Sequence, residues 1–236
     1  MNLNRLYPTH VPTSTLEKAF LTVACSITAL ANPLRGDMVA AVGETLGTPA
    51  LRRMRVQMLS DPVGRQLLRD RPEITSASLP VDRLAALAPT TFGGAYYHNF
   101  MARHGYDADG RSPVQFVDSA ELAWIVLRYR QVHDFWHTLT GIPPTVEGEL
   151  ALKMFEYVQT GLPMTAAAVA AAPLVQLDGT QRARLRHQLL PWAVSAGLYA
   201  KPLMCVRYEE LLERDLDDVR RELRVLPAPE LEPLLV

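Results

Sequence analysis

The chain has 236 residues, of which 48% are hydrophobic and 21% charged, with a formal net charge of -1 and a sequence pI of about 6.6. This composition supplies enough apolar surface for a sizeable core, which excludes intrinsic disorder, and the absence of a basic field argues against nucleic-acid binding. No Gly/Ser-rich or low-complexity stretch offers a linker, so we expect residues 1–236 to form one domain.

Three features bear on the compartment and on membranes. The opening segment Met1–Arg5 resembles neither a secretory signal nor an Arg-rich transit peptide, so either the protein is not imported or its presequence is missing. The most apolar run, Ala19–Ala31, has about 13 residues where a bilayer span needs roughly 20, so we expect no membrane crossing. Cys25 and Cys205 lie far apart in apolar contexts, which favours reduced core thiols and a reducing compartment.

The first half of the chain predicts helices. Apolar residues recur with helical spacing, and no run of four to eight residues alternates as a strand should, so the fold class is all-α. Ser14 with Glu17 three residues later forms a capping-box signature that opens a first helix, which ends before Asn32-Pro33. Asp61-Pro62 starts another helix, because an N-cap residue precedes a proline at the first helical position.

The next predicted helix has the clearest pattern. It begins at Asp118, with Glu121 as the capping-box partner, and ends at Gly141. Pro143-Pro144 then force a turn, because proline cannot continue a helix. A helix over Val146–Gly161 follows, which Thr145 can cap, so the two helices form a hairpin.

Three helical segments and a tail follow the hairpin. The segment Thr165–Ala172 is rich in alanine, a helix is predicted over Thr180–Trp192, and an amphipathic helix over Tyr208–Leu223. Three prolines in the final dozen residues predict a surface tail. We therefore predict that the chain adopts a bundle-like helical fold.

The candidate functional residues lie on the predicted hairpin. His133 and His137 stand four residues apart on one helix face, and at about 100° per residue Asp134 lies in the same sector. Glu149 lies about as far beyond the Pro143-Pro144 turn as His137 lies before it, so its carboxylate can close the site from the facing helix. Two imidazoles with one or two carboxylates suit zinc, and also manganese or iron.

A different interpretation of these four residues is structural. His133 and His137 would be satisfied core histidines on an apolar stripe, and Asp134 and Glu149 would be solvated charges. Ionisable groups among the aromatic residues of this helix need a partner, however, because burying them unpaired is costly. That requirement favours the metal site.

The motif resembles that of a known family. The string HDFWH, followed after eleven residues by Glu149, is similar to the HDxxH-x11-E signature of the ubiquinone (coenzyme Q) biosynthesis protein 4 family. Other segments are similar in the same order: YPTHVPTS, DMVAAVGETLG, DPVGRQLLRDRP, FVDSAELAWIVLRYRQVHD, EYVQTGLPM and LLPWAV. The resemblance runs from about Leu6 to Leu226, and a match over so many segments is highly specific.

The resemblance implies a helical fold and zinc bound by His133, Asp134, His137 and Glu149. It implies peripheral attachment to the matrix side of the mitochondrial inner membrane, or to the cytoplasmic face of the membrane in a bacterium. Its partners would be the other enzymes of the coenzyme Q synthesis complex, and a homo-oligomer is left open. The implied activity is loss of the C1 carboxyl of 4-hydroxy-3-methoxy-5-polyprenylbenzoate, which gives a 2-methoxy-6-polyprenylphenol.

Roles within such a site follow from ligand chemistry. His133 and His137 are expected as neutral ligands and Glu149 as the third, which leaves Asp134 as a fourth ligand or as the acid/base. The absence of cysteine ligands argues against a closed structural zinc, so an open coordination position is expected. Zinc has no redox chemistry, so an oxidative reaction would need iron or another cofactor.

Two further expectations concern the substrate. Tyr129 and Arg130, one turn before His133, could approach an anionic substrate oxygen, although an arginine on a helix surface is more often solvated. The small residues of Thr165–Ala172 could form the wall of an apolar groove for the polyprenyl tail, or they could permit ordinary tight helix packing.

Two other functions compete with a lyase. The first is a non-catalytic, zinc-containing scaffold that binds ubiquinone intermediates and organises the other enzymes of the complex. The second is a metal-dependent phosphohydrolase, suggested by the adjacent His133 and Asp134, which would need a further upstream histidine. His98 and His104 are available for that role, but neither has a recognisable motif around it.

Overall fold

The structure is a computed structural model that describes residues 5–32 and 35–230. Over these residues the chain forms helices and no strand apart from an isolated bridge between Thr91 and Asp215, so the prediction of an all-α fold is confirmed. The α-helices in chain order are α1 (Thr15–Ala31), α2 (Gly36–Leu46), α3 (Thr48–Ser60), α4 (Pro62–Asp70), α5 (Val81–Ala85), α6 (Phe92–Ala95), α7 (Ala102–His104), α8 (Ala120–Thr140), α9 (Val146–Thr160), α10 (Pro163–Gln176), α11 (Gly179–Arg184), α12 (Leu190–Tyr199) and α13 (Leu216–Leu223).

Shorter helical turns join some of these elements. A π-helical turn, Tyr96–Met101, makes one continuous helix of α6 and α7, and a second one, Leu185–Leu189, does the same for α11 and α12. Two 3-10 turns, Leu203–Cys205 and Tyr208–Glu210, precede α13. Single π-helical turns inside helices often occur at functional sites.

Local capping chemistry sets the helix starts that the sequence predicted. The Ser14 hydroxyl and the Glu17 carboxylate form the capping box of α1. The Asp61 carboxylate accepts hydrogen bonds from the first turn of α4, and Thr145 caps α9 through the backbone N–H of Gly148. These three predictions are confirmed, since each depends only on neighbouring residues.

The predicted cap of α8 is wrong. Ser119, and not Asp118, accepts the capping hydrogen bond, and Glu121 is not a capping partner. The Asp118 carboxylate instead binds Lys18 of α1, and Glu121 binds Arg55 of α3. Tertiary ion pairs draw both carboxylates away from the helix terminus.

Two predicted helices have different bounds. The helix predicted over Thr180–Trp192 continues to the end of α12 through its π-helical turn. The helix predicted over Tyr208–Leu223 is a 3-10 turn followed by the shorter α13. Asp215 decides that start, because its side chain accepts hydrogen bonds from the backbone of Asp217 and Asp218.

Part of the predicted surface tail is packed against the protein. Val225 is buried, and the backbone N–H of Ala228 donates to the carbonyl of Thr140 at the end of α8, at 2.7 Å. Residues 231–236 and the predicted stop at Pro33 lie outside the described residues. The segment that follows α13 therefore packs against the C-terminal end of α8.

The core surrounds α8. This helix is buried on most of its circumference. Phe135 and Trp136 are fully buried, and the Trp136 indole donates a hydrogen bond to the Tyr208 hydroxyl at 2.8 Å. Cys25 and Cys205 are free, buried thiols, as predicted. The histidine pair therefore lies on a helix that is packed on most sides.

Membrane crossing is not supported by any described helix. Among the residues that the structure covers, none of the helices combines the length and the apolar character that a bilayer span needs.

Candidate metal centre

The α8–α9 hairpin brings His133, His137 and Glu149 together. The turn between the helices begins at Gly141, which ends α8 in the left-handed conformation with φ 72°, favourable for glycine. Nε2 of His137 lies 2.9 Å from one oxygen of Glu149, and Nε2 of His133 lies 3.6 Å from the other. One ligand atom from each residue fits within 4.8 Å of the others.

The ring of His137 is fixed on two sides. Its Nδ1 lies 2.8 Å from the carbonyl oxygen of Ile142 in the turn, and a carbonyl can only accept, so Nδ1 donates. Phe100, from the π-helical turn Tyr96–Met101, stacks on the imidazole at a centroid distance of 5.0 Å. Nε2, the other ring nitrogen, consequently faces Glu149.

The ring of His133 has a carboxylate as its second partner. Its Nδ1 lies 2.5 Å from Oε1 of Glu156, two turns beyond Glu149 on α9. Glu156 is fully buried, and its Oε2 accepts hydrogen bonds from the Tyr129 hydroxyl at 2.7 Å and from Lys153 Nζ at 2.8 Å. Every oxygen of this carboxylate is therefore engaged.

The electrostatics of the cluster favour ionised carboxylates. Burial alone would raise the pKa of Glu156, but Lys153 and His133 outweigh it and lower that pKa to about 2. Burial likewise opposes ionisation of Glu149, whose two histidine neighbours hold its pKa well below the usual range. Burial and the Lys153 charge lower the pKa of His133, yet the two carboxylates raise it to about 9. The metal-free cluster therefore keeps a proton on His133, and a cation that binds this imidazole would displace it.

These residues fit a divalent metal such as zinc. Two imidazole nitrogens and one carboxylate oxygen are a common ligand set of catalytic zinc, in which the fourth position stays open. Metal-binding histidines typically donate their other ring N–H to a carboxylate or a backbone carbonyl, and Glu156 and Ile142 provide one of each. The chemistry of the donors and of their supports is thus that of a metal site.

Comparison with known proteins assigns the family. The family model described as "Coenzyme Q (ubiquinone) biosynthesis protein Coq4" matches residues 7–229. The chain belongs to the Coq4 family. A Coq4 protein of Arthroderma otae, named a mitochondrial ubiquinone biosynthesis protein, is 46% identical over 97% of this chain and 85% of its own length. Another from Aspergillus terreus, with the same name, is 45% identical over 97% of this chain and 79% of its own length.

A solved structure shares the fold. The crystal structure of a candidate ubiquinone biosynthesis protein from Nostoc punctiforme PCC 73102 superimposes with a TM-score of 0.69. The match covers 87% of this chain and 97% of the other, at 19% sequence identity. The Coq4 fold of this chain therefore persists at low identity, and family membership gives the protein a role in ubiquinone biosynthesis.

Asp134, the remaining residue of the Coq4 motif, lies apart from the cluster of three. Its carboxylate binds the guanidinium of Arg111 at 2.6 Å, and Arg111 also donates to the carbonyl of Ala108. Asp134 follows His133 directly, so it lies about 100° further round α8 and faces the loop before that helix. The structure thus supports three ligands where four were predicted.

Tyr129 and Arg130 have structural contacts in place of the predicted substrate contacts. The Tyr129 hydroxyl holds Glu156, and the side chain is buried. The Arg130 guanidinium binds the buried Glu44 carboxylate at 2.6 Å and the carbonyl of Ala40 at 2.9 Å. Both groups are thus engaged by buried carboxylates of the protein.

Three polar residues of the site were missed from the sequence. Lys153 and Glu156 follow Glu149 by four and seven residues, so helical spacing alone places them on the same face of α9 and could have revealed them. Arg111 lies in an irregular segment, where no periodicity indicates what it contacts. Over the described residues neither His98 nor His104 joins the metal cluster, and His98 contacts a backbone carbonyl instead.

Proposed function

We propose that this Coq4 protein is a zinc-dependent lyase. It removes the C1 carboxyl of 4-hydroxy-3-methoxy-5-polyprenylbenzoate and gives a 2-methoxy-6-polyprenylphenol, with the metal held by His133, His137 and Glu149. The observation that carries the proposal is the convergence of two Nε2 atoms on one carboxylate, with both Nδ1 atoms held by acceptors. That arrangement leaves room for a substrate oxygen as a further ligand.

The proposed reaction needs charge stabilisation and one proton. The C1–carboxylate bond breaks, carbon dioxide leaves, and the electron pair left on C1 takes a proton. Zinc, when bound, supplies a Lewis acid that binds and orients substrate oxygen. Glu149 and the two histidines would hold the metal in place, and we propose Asp134, which lies outside the ligand cluster and pairs with Arg111, as the acid/base of the reaction.

We also propose that the protein lies on the matrix side of the mitochondrial inner membrane, with other enzymes of the coenzyme Q synthesis complex. The outward face of α1 supports membrane attachment, because no charged residue occurs over Ala19–Ala31. The C-terminal end of α10 adjoins this face, since the Gln176 side chain donates to backbone carbonyls near the end of α1. Six large apolar side chains on the two helices are more than half exposed: Leu16, Phe20, Val23, Ile27, Leu174 and Val175.

This surface, which we call the α1/α10 face, suits a lipid interface. Exposed apolar side chains on one contiguous patch are unusual in a protein that only meets water. Burial of each large side chain in lipid is worth about 1.5 to 3 kcal/mol, so six give firm but reversible attachment. An apolar groove of about 480 Å³ begins at Leu16 and Phe20 and extends to Phe116, and we propose that it receives the polyprenyl tail.

Turnover by the purified, zinc-loaded protein tests the proposed reaction. The substrate is a short-tailed 4-hydroxy-3-methoxy-5-prenylbenzoate, and carbon dioxide and the phenol are both measured. Equal amounts of the two products are expected, and none from Glu149→Ala. Tight binding of the prenylbenzoate without any product would reject the lyase and favour the non-catalytic scaffold.

A further inference from the structure

Glu156 has a position that ligand binding alone does not explain. It is fully buried and does not belong to the cluster of three ligand residues, yet its Oε1 lies 2.5 Å from Nδ1 of His133. An ionised carboxylate can only accept hydrogen bonds. When the Nε2 atom of His133 binds a metal, the only proton left on the ring is on Nδ1, and Glu156 is its acceptor.

Lys153 determines how that acceptor is arranged. Its ammonium group is one turn before Glu156, lies 2.8 Å from Oε2, and is 3.5 Å from the Nδ1 atom of His133. Together with the Tyr129 hydroxyl it supplies hydrogen-bond donors on the Oε2 side. Any side chain that replaces Glu156 must therefore place an acceptor toward Lys153 as well as toward His133.

We propose that Glu156 is a positioning residue of the metal centre: it supplies the acceptor that lets His133 bind through Nε2, and Lys153 makes a carboxylate obligatory there. A glutamine has one acceptor and one donor end. Beside Lys153 its oxygen turns to the ammonium group, and its NH2 group then meets the Nδ1–H of His133. Two buried donors facing each other are costly, so metal binding is weakened.

The experiment compares three variants that separate charge, size and acceptor. Glu156→Gln weakens zinc binding about 10- to 100-fold, the range typical for loss of such a support. In Glu156→Gln/Lys153→Met the amide can turn its oxygen to His133, and most of the affinity returns. Glu156→Leu/Lys153→Met has the same charge as that double variant but offers no acceptor to His133, so its zinc binding stays weak. The two double variants carry the same charge and both lack Lys153, so their comparison isolates the acceptor even when the single variant is unstable.

Two readouts are used, and neither is activity. Zinc affinity comes from competition with a chelator, and the cobalt-substituted protein gives separate proton NMR signals for the two ring N–H groups. The ring N–H signal of His133 shifts in Glu156→Gln and in Glu156→Leu/Lys153→Met. The ring N–H signal of His137, whose proton is bound by the carbonyl of Ile142, keeps its position in both. Glu147→Gln is the control, because Glu147 is a buried glutamate of α9 that pairs with Arg184.

Three results would overturn the proposal: wild-type zinc affinity in Glu156→Gln, equal affinity of the two double variants, or an equal loss in Glu147→Gln. The proposal rests on the metal centre that the proposed function uses. Since zinc affinity and not turnover is measured, absence of decarboxylation would reject the lyase and leave the role of Glu156 standing.

Discussion

The carboxylate of Glu149 lies 2.9 Å from Nε2 of His137, across the turn that joins α8 to α9. One residue belongs to the last turns of a buried helix and the other to the first turn of its partner. The pair is therefore held by the geometry of the hairpin, whose capping residues and left-handed Gly141 are independent of any metal. A hairpin that forms without the ion has direct consequences for mutations and for metal removal.

Glu149→Ala and His137→Ala are each expected to abolish zinc binding and turnover while leaving most of the fold intact. Each removes one of three ligands, and the partly exposed Glu149 contributes little to the core. Circular dichroism, metal analysis and product measurement on the same preparation check this. The control is Glu213→Ala, which removes a more exposed glutamate paired with Arg83. Full zinc content in either ligand variant would exclude that residue as a ligand.

Removal of the metal by a chelator should lower stability without unfolding the chain. Zinc at 100 times its dissociation constant stabilises the folded state by about 2.7 kcal/mol, which for this chain length corresponds to a Tm shift of roughly 5 to 10 °C. The far-ultraviolet circular dichroism of the metal-free protein should remain that of an all-α protein. Cooperative unfolding on chelation would instead make the metal a structural pin, as in small zinc modules.

Phe20→Glu and Ile27→Glu should each reduce binding to neutral phosphatidylcholine vesicles at least about 10-fold, because a charge replaces an apolar group at the lipid contact. Both residues lie on the α1/α10 face. Co-sedimentation with vesicles is the measurement. Val56→Glu is the matched control, since Val56 is 61% exposed and belongs to α3 and not to either helix of that face. Equal losses in all three variants would show that the α1/α10 face has no special part in attachment.

Glu209→Ala should destabilise the protein by about 3 kcal/mol, because it leaves the fully buried Arg128 without its carboxylate partner. Burial opposes ionisation of Glu209, but the hydrogen bonds and charge of Arg128 outweigh it and lower the pKa. The folded-state pKa is thus below the unfolded one. The stabilisation is present above the unfolded pKa and is lost as the pH falls through the folded value. Chemical denaturation at neutral and at acid pH tests this, and equal stability loss at both would contradict it.

The all-α class, the first helix, the α8–α9 hairpin and the pairing of His133 with His137 could be predicted from the sequence. Each depends on contacts between residues a few positions apart, such as Ser14 with Glu17. The convergence of Glu149 with the histidines was also predictable, because a short turn makes the distances along both helices nearly equal.

The tertiary structure alone decided where the remaining charged groups go. Asp118, Asp134 and Arg130 each had a plausible local role, and each is instead bound by a residue from a distant part of the chain. Periodicity gives the direction of a side chain from its own helix, but it does not tell which oppositely charged group packs there. For the largely buried Asp134 and Arg130 such a partner is obligatory, because an unpaired charge in the interior is far more costly than a lost helix cap. Asp118 is more than half exposed, and its partner Lys18 is supplied by α1.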